Sequence, residues 1–294
     1  RTDAGSFNYT FASSGSYTIS ADILTTCNEN LNRSLVVNIT VSGISSASNF
    51  KAWRIGGGAN DAGNGVAVDG LGNVYVIGNY GSSISFGATT LNVVGANDVF
   101  IAKYNSNGDL AWVQRITGDG TDEGKGIAVD SNGDIYVIGQ VSTNAGFFNT
   151  TANVIANTPV RKQTGGPTDI FVAKYNRDGQ MLWNKLYGSG SPDQGVAIAL
   201  HSSGIYITGF FSAPSATFGA TIIQASGIEG KYDAFLAKLN SNGDALWAVS
   251  CGGFENDYAS SVAVDVGGNA YITGNFSSPA AFRSVSGAST MYSS

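Results

Sequence analysis

Four aspartates, Asp61, Asp122, Asp193 and Asp257, recur once per repeat along this chain, each just ahead of a strand-like run. A carboxylate in that place has two uses. It accepts hydrogen bonds from turn amides, or, if its equivalents gather beside it, it ligates a hard cation such as calcium, which takes oxygen ligands. Spacing alone leaves both uses open. Two other stretches, Asp130-Ser131-Asn132-Gly133-Asp134 and Asn105-Ser106-Asn107-Gly108-Asp109, space their oxygens like calcium loops. They lack the later Glu and the flanking helices of an EF-hand, and hairpin turns explain them better. Arg161 and Lys162 form the one basic island of the repeats and are a candidate ligand contact. His201 is the single histidine. A catalytic His needs a positioned acid or nucleophile, and no spacing supplies one. Cys27 and Cys251 give neither a disulfide framework nor a metal spacing. No catalytic residue and no cofactor is assigned; calcium is the one ion left open.

The elements that must carry these residues are legible as a repeat. Gly126-Ile127-Ala128-Val129-Asp130 turns through Asn132-Gly133 into Ile135-Tyr136-Val137-Ile138-Gly139, with counterparts at 65–78, 197–209 and 261–274. A second phrase, Asp98-Val99-Phe100-Ile101-Ala102-Lys103-Tyr104, recurs at 169–175 and 233–239 and leads through a Gly turn to Trp112, Trp183 and Trp247. Trp53 is an earlier copy of the same Trp. Period-two β-branched and aromatic runs are strands. Asn-Gly and Asp-Gly between them predict type I′ hairpins with positive φ at both central residues. Four such strands, a to d, make one propeller blade. The expected fold is therefore all-β: a propeller of four-stranded antiparallel blades over 50–294, about four repeats of a larger ring. One tryptophan and one strand-b tyrosine (Tyr75, Tyr136, Tyr206, Tyr271) per blade are expected to pack between blades.

Composition narrows the classes. The 294 residues include 40 Gly, 12% charged residues and a net charge of −6. With no basic stripe, nucleic acid is excluded as an expected partner. No apolar run is long enough to suggest a membrane span. Residues 1–43 stand outside the repeat, and 44–49 read as a linker. The strand words Phe7-Asn8-Tyr9-Thr10-Phe11, Tyr17-Thr18-Ile19 and Val37-Asn38-Ile39-Thr40-Val41 resemble the second half of a PKD or similar immunoglobulin-like module. The chain is expected to be a processed or truncated piece of something longer.

The paired phrases resemble the SBBP-type β-propeller repeat of secreted bacterial proteins, over Phe50 to about Phe276. That resemblance implies a secreted or cell-surface protein without an assigned activity. The expected function is a non-enzymatic extracellular scaffold for adhesion, binding a protein or glycan, alongside further domains of the parent chain. The alternative is a secreted propeller enzyme, a glycan hydrolase or lyase, using acids at the channel mouth. Strand a is innermost in a propeller, so Asp61, Asp122, Asp193 and Asp257 would approach that mouth. The b–c insertions (79–97, 140–168, 210–232) and the d–a connections leave on the same side. A partner is expected on that side, with the 140–168 loop and its Arg161 and Lys162 as the best contact.

Overall fold

A computed structural model describes residues 55–148, 167–212, 214–226 and 230–277, and the backbone of 281–284 and 287–289. Residues 1–54, with the expected PKD-like module, linker and Trp53, lie outside the described residues, as do Arg161 and Lys162.

Every described element is a strand. The first blade holds β1 (Asp61–Val68), β2 (Val74–Tyr80), a hairpin of β3 (Ile84–Phe86) and β4 (Thr89–Leu91), then β5 (Asp98–Tyr104) and β6 (Leu110–Thr117). The second holds β7 (Glu123–Val129), β8 (Ile135–Val141), β9 (Gly146–Phe148), β10 (Asp169–Tyr175) and β11 (Met181–Tyr187). The third holds β12 (Gln194–His201), β13 (Gly204–Ser212), the hairpin β14 (Ser215–Phe218) and β15 (Thr221–Gln224), β16 (Tyr232–Leu239) and β17 (Ala245–Gly252). The fourth shows β18 (Tyr258–Val264), β19 (Ala270–Asn275), β20 (Ala281–Ser284) and β21 (Gly287–Ser289). Strands a, b, c and d pair antiparallel in order in the three complete blades. The inner strands β1, β7, β12 and β18 pack in succession. This is a β-propeller.

In the three complete blades the b and c strands are apolar on both faces because each blade is covered on both sides, whereas β19, the last b strand, is largely exposed. One core joins the first and second blades through Tyr75, Ile77, Ile101 and Trp112 on one side and Val137, Phe171 and Tyr175 on the other. A second joins Tyr136, Ile138 and Val172 to Ile205, Ile207 and Phe235. The tryptophans seal these joints from the outside. Trp112 Nε1 donates to Arg177 O at 3.1 Å, and Trp183 Nε1 to Ser241 O at 3.1 Å. Each acceptor lies in the c–d turn of the following blade.

The hairpins differ from the expected type I′. In the a–b and c–d turns positive φ falls on Gly72, Gly108, Gly133, Gly179, Gly243 and Gly268, and on Gly204 in the shorter third-blade turn, not on the residue before each. Gly133 N donates back to Asp130 O at 3.0 Å while Asp130 N donates to Asp134 O at 2.9 Å. That is a type I turn closed by a left-handed Gly, the usual three-residue hairpin. Asp130 Oδ1 accepts from Asn132 N and Asp134 N, and Asn105 Oδ1 from Asn107 N and Asp109 N. The calcium-like words are thus Asx turns. His201 replaces the Asp in the third blade, whose turn is one residue shorter, and its Nδ1 accepts from Ser203 N.

The insertions do something the repeat does not announce. β9 leaves the second blade and pairs with β6, the outer strand of the first. β20 pairs likewise with β17. Thr217 of β14 bridges to Gly188 at the end of the second blade. The insertions of the second, third and fourth blades therefore reach back to cover part of the preceding blade's outer edge, which would otherwise present unpaired backbone.

Each inner strand carries a bulge two or three residues in, at Gly63/Gly65, Gly124/Gly126, Gly195/Ala197 and Ala259/Ser261. Opposite it stands the glycine that ends the strand-b phrase. A Cβ on Gly139 would sit 2.0 Å from Glu123 O and 2.6 Å from a Phe171 ring carbon, and Gly209 and Gly274 meet carbonyls equally closely. Gly139→Ala should therefore cost at least ~1–3 kcal/mol in urea unfolding, the range of overpacked cores. Trp112→Ala, which removes a ring only 7% exposed, should cost ~3–5 kcal/mol. A Trp112 cost under about 1 kcal/mol would place the ring outside the load of the joint.

Candidate binding face

The aspartate before each inner strand is a backbone clamp. Asp257 Oδ2 accepts from Gly253 N at 2.7 Å, and Oδ1 from Ser277 N at 2.6 Å. Asp193 accepts from Ser189 N, Ser189 Oγ and Ser212 N. Asp122 Oδ1 accepts from Ser142 N at 2.6 Å, and Asp61 from Gly57 N and Gly81 N. At Asp61, Asp193 and Asp257 one donor comes from the d–a connection and the other from the exit of strand b, so these two connections do share a face. Asp122 takes only the second, and its buried Oδ2 has no hydrogen-bond partner among the described residues. The backbone of the same aspartates reaches the preceding blade: Asp122 N to Asn97 O, Asp193 N to Thr168 O, Asp257 N to Tyr232 O.

Asp122, Asp193 and Asp257 are 0–1% exposed, and Asp61 is half-buried. The structure does not bring the four together: among the described residues no three or more His, Cys, Asp or Glu gather into a group able to hold a metal ion. Asp122, Asp193 and Asp257 each have instead a neighbouring carboxylate at the head of strand c of the preceding blade: Asp98, Asp169 and Asp233. Asp98 and Asp233 are fully buried there and accept from Val94 N and Ser226 N at 2.6 Å. Burial pushes Asp98 up to about 7, with the Asp122 charge adding to it. Burial likewise pushes Asp122 up to about 6 and Asp193 up to about 7, Asp169 adding to the latter. Burial also pushes the Cys251 thiol up to about 12, which makes it a poor nucleophile. Cys27 lies outside the described residues.

The residue after each clamp is where the blades differ. Between the buried Asp and the bulge stand Ala62, Glu123, Gln194 and Tyr258. Their partners across the a–b pair are Asn79, Gln140, Phe210 and Asn275. These eight residues form a rim at the head of the inner strands. Gln194 Nε2 donates to Gln140 Oε1 at 2.6 Å and to Glu123 Oε2 at 3.1 Å. Lys125 Nζ lies 3.0 Å from Glu123. At the next joint the polar network gives way to aromatic rings. Phe210 meets Tyr258 edge-on at 4.9 Å between centroids and Tyr232 at 5.3 Å, and the two tyrosines lie 5.7 Å apart. All three rings are half-buried. The signal that could have found the rim was present in the sequence: a position that changes character in every copy, between two that do not.

With this geometry in hand, comparison with known proteins is direct. The family model of the SBBP β-propeller repeat matches residues 53–79 and 111–148. The chain is a β-propeller repeat protein. It is 27% identical over 177 residues to an uncharacterized WD repeat-containing protein of Acanthamoeba polyphaga mimivirus, covering 58% of this chain and 13% of that protein. It is 28% identical over 197 residues to the regulatory protein FlaEY of Caulobacter vibrioides, covering 66% of this chain and 20% of that protein. The propeller chain thus spans a fifth or less of the length of these relatives. No helix among its described residues is long and apolar enough to cross a membrane.

The buried carboxylates set a pH dependence. An ordinary aspartate titrates at 3.8, whereas Asp98, Asp122 and Asp193 hold their protons to about 7, 6 and 7 when folded. Between these limits the native propeller binds protons that the unfolded chain has released. Their contribution is full below 3.8 and declines as pH rises through 7. The Asx-turn Asp265, held below its usual range chiefly by the Asn269 side chain, acts in the opposite sense and loses its contribution in acid. Thermal melting followed by circular dichroism should therefore weaken from pH ~4 to pH ~7. Asp122→Asn, which needs no proton to be neutral, should make that slope shallower. A slope that rises over this window would mean the carboxylates are ionised in the fold.

Proposed function

We propose that this propeller is a non-enzymatic extracellular or cell-surface scaffold whose b–c and d–a face binds a protein or glycan. The observation that carries this reading is the division of labour on that face. The acids at the head of the inner strands are buried and accept backbone amides, so they are not poised on an open cleft as paired glycosidase carboxylates are. The rim residues beside them vary from blade to blade. Variable side chains on a rigid frame are the usual form of a recognition surface. The names of the two relatives, a WD repeat-containing protein and a regulatory protein, agree with a binding role. Arg161 and Lys162 belong to an insertion that starts on this face and would add a positive contact to it.

The test is retention on cell surfaces. Labelled propeller should bind intact bacterial cells saturably and release no product from a polysaccharide panel. Removing residues 150–165, which leaves β9 in place on β6, should weaken retention without lowering the melting temperature. Turnover of any polysaccharide that is lost with Asp122→Asn would favour a glycan hydrolase or lyase instead. Pretreating the cells with protease or with periodate separates protein from glycan partners.

A further inference from the structure

We propose that the rim between the third and fourth blades is a subsite for a neutral carbohydrate, formed by Phe210, Tyr232 and Tyr258 with Gln194, Gln140 and Glu123 beside them. This rests on the scaffold reading and names its ligand class.

The three rings stand where the other blades carry small or polar residues. Phe210 occupies the place of Asn79, Gln140 and Asn275, and Tyr258 that of Ala62, Glu123 and Gln194. Tyr232, just before the buried Asp of strand c, occupies the place of Asn97 and Thr168. They are therefore not the once-per-blade aromatics of the joints. Those are Tyr75, Tyr136 and Tyr206, exposed by 0%, 6% and 2% where a further blade is described beyond them. Tyr271, the fourth of the set, is 59% exposed and is not packed between blades as expected, and the half-buried rim rings lie between these cases. Tyr232 and Tyr258 are inclined at 36° to one another, and Phe210 stands at 79° and 89° to them. Such a cluster presents ring edges and faces at one spot.

The neighbours decide what would sit there. A sugar ring offers a C–H face that packs on an aromatic surface and hydroxyls that need both donors and acceptors. Both Nε2 hydrogens of Gln194 are given to Gln140 and Glu123, so its Oε1 supplies an acceptor, the Gln140 amide supplies donors, and the Glu123 carboxylate supplies acceptors. Gln194 lies directly across the a–b pair from Phe210 and is hydrogen-bonded to Gln140 and Glu123. The polar and apolar halves of the rim are thus continuous. The charge of Glu123 is matched by Lys125, so the strip favours a neutral ligand over a phosphate, which would call for uncompensated Arg or Lys. A peptide adding a strand needs an open sheet edge. Phe210 itself offers none, because it is paired with Gln194 on one side and Ala234 on the other.

The experiment is saturation-transfer NMR and titration with cellopentaose, xylopentaose and chitopentaose. At least one should bind, with transfer strongest to its ring protons. Tyr232→Ala and Gln194→Ala should each weaken it by about tenfold or more, equivalent to ~1.4 kcal/mol, while the melting temperature holds. Phe210 and Tyr258 form the closest ring contact across the joint, and Tyr232 and Gln194 reach neighbouring blades through a longer ring contact and through hydrogen bonds, so Tyr232 and Gln194 are the variants on which the outcome rests. If no oligosaccharide binds, or if both variants bind as the parent does, the subsite is overturned. Should cell retention then persist, destroyed by protease and indifferent to periodate, the scaffold reading stands and its partner is a protein. Loss of both oligosaccharide binding and cell retention removes both readings.

Discussion

One buried carboxylate at the head of each inner strand holds the loop face together. Asp257 shows the arrangement most completely: its two oxygens take the amides of Gly253 and Ser277, and its own N–H reaches Tyr232 O in the preceding blade. The incoming connection, the exit of strand b and the preceding blade therefore meet on one residue, the first two on its side chain and the third on its backbone. A buried acceptor or amide left without a partner costs ~1–3 kcal/mol. The incoming connection, the inner strand and the exit of strand b are accordingly fixed relative to one another. The raised titration of Asp98, Asp122 and Asp193 follows from the same burial. Here a perturbed carboxylate marks a structural joint; perturbed acidity by itself does not separate joints from catalytic sites.

The bulge that follows each clamp depends on this anchoring and passes it on. It brings the inner-strand carbonyl so close to Gly78, Gly139, Gly209 and Gly274 that no side chain fits. The backbone on both sides of the rim position is thus specified, by the clamp before it and by the bulge after it. The rim side chain itself carries none of that duty. Alanine, glutamate, glutamine and tyrosine all occupy it over the same backbone.

Much of this was legible in the sequence, for definite reasons. The strands were clear because b and c are buried on both faces and read as unbroken apolar words, and the tryptophans because each must reach the next blade's turn. The turns were placed correctly but mistyped: Asn-Gly suggests two left-handed residues, whereas Asn105, Asp130 and their equivalents hold a type I turn through their side chains, leaving one left-handed Gly. The backward pairing of β9 and β20 was illegible, because runs of three or four residues carry no period and their partners lie in another blade. The aspartates were found by their recurrence. Spacing could not say whether they faced a channel or the backbone, since that is decided by where the amides of Gly253 and Ser277 point.

Recurrence in a repeat protein selects for what the scaffold needs. The residues that recur here, the clamp aspartates and strand-b glycines of all four blades and the tryptophans of the three complete ones, are those with contacts that the scaffold repeats from blade to blade. A function belonging to the whole array need not recur in each blade. It falls to positions that the scaffold supports and does not use. At the rim the backbone is held by the clamp and the bulge whichever side chain stands there, and the side chains change from an ion pair and amides at the second blade to packed rings at the fourth. Such a gradient around a fixed frame gives one face with distinct chemical surfaces side by side. Recognising an extended ligand with polar and apolar faces requires both surfaces, and neither a single blade nor a uniform ring would supply them.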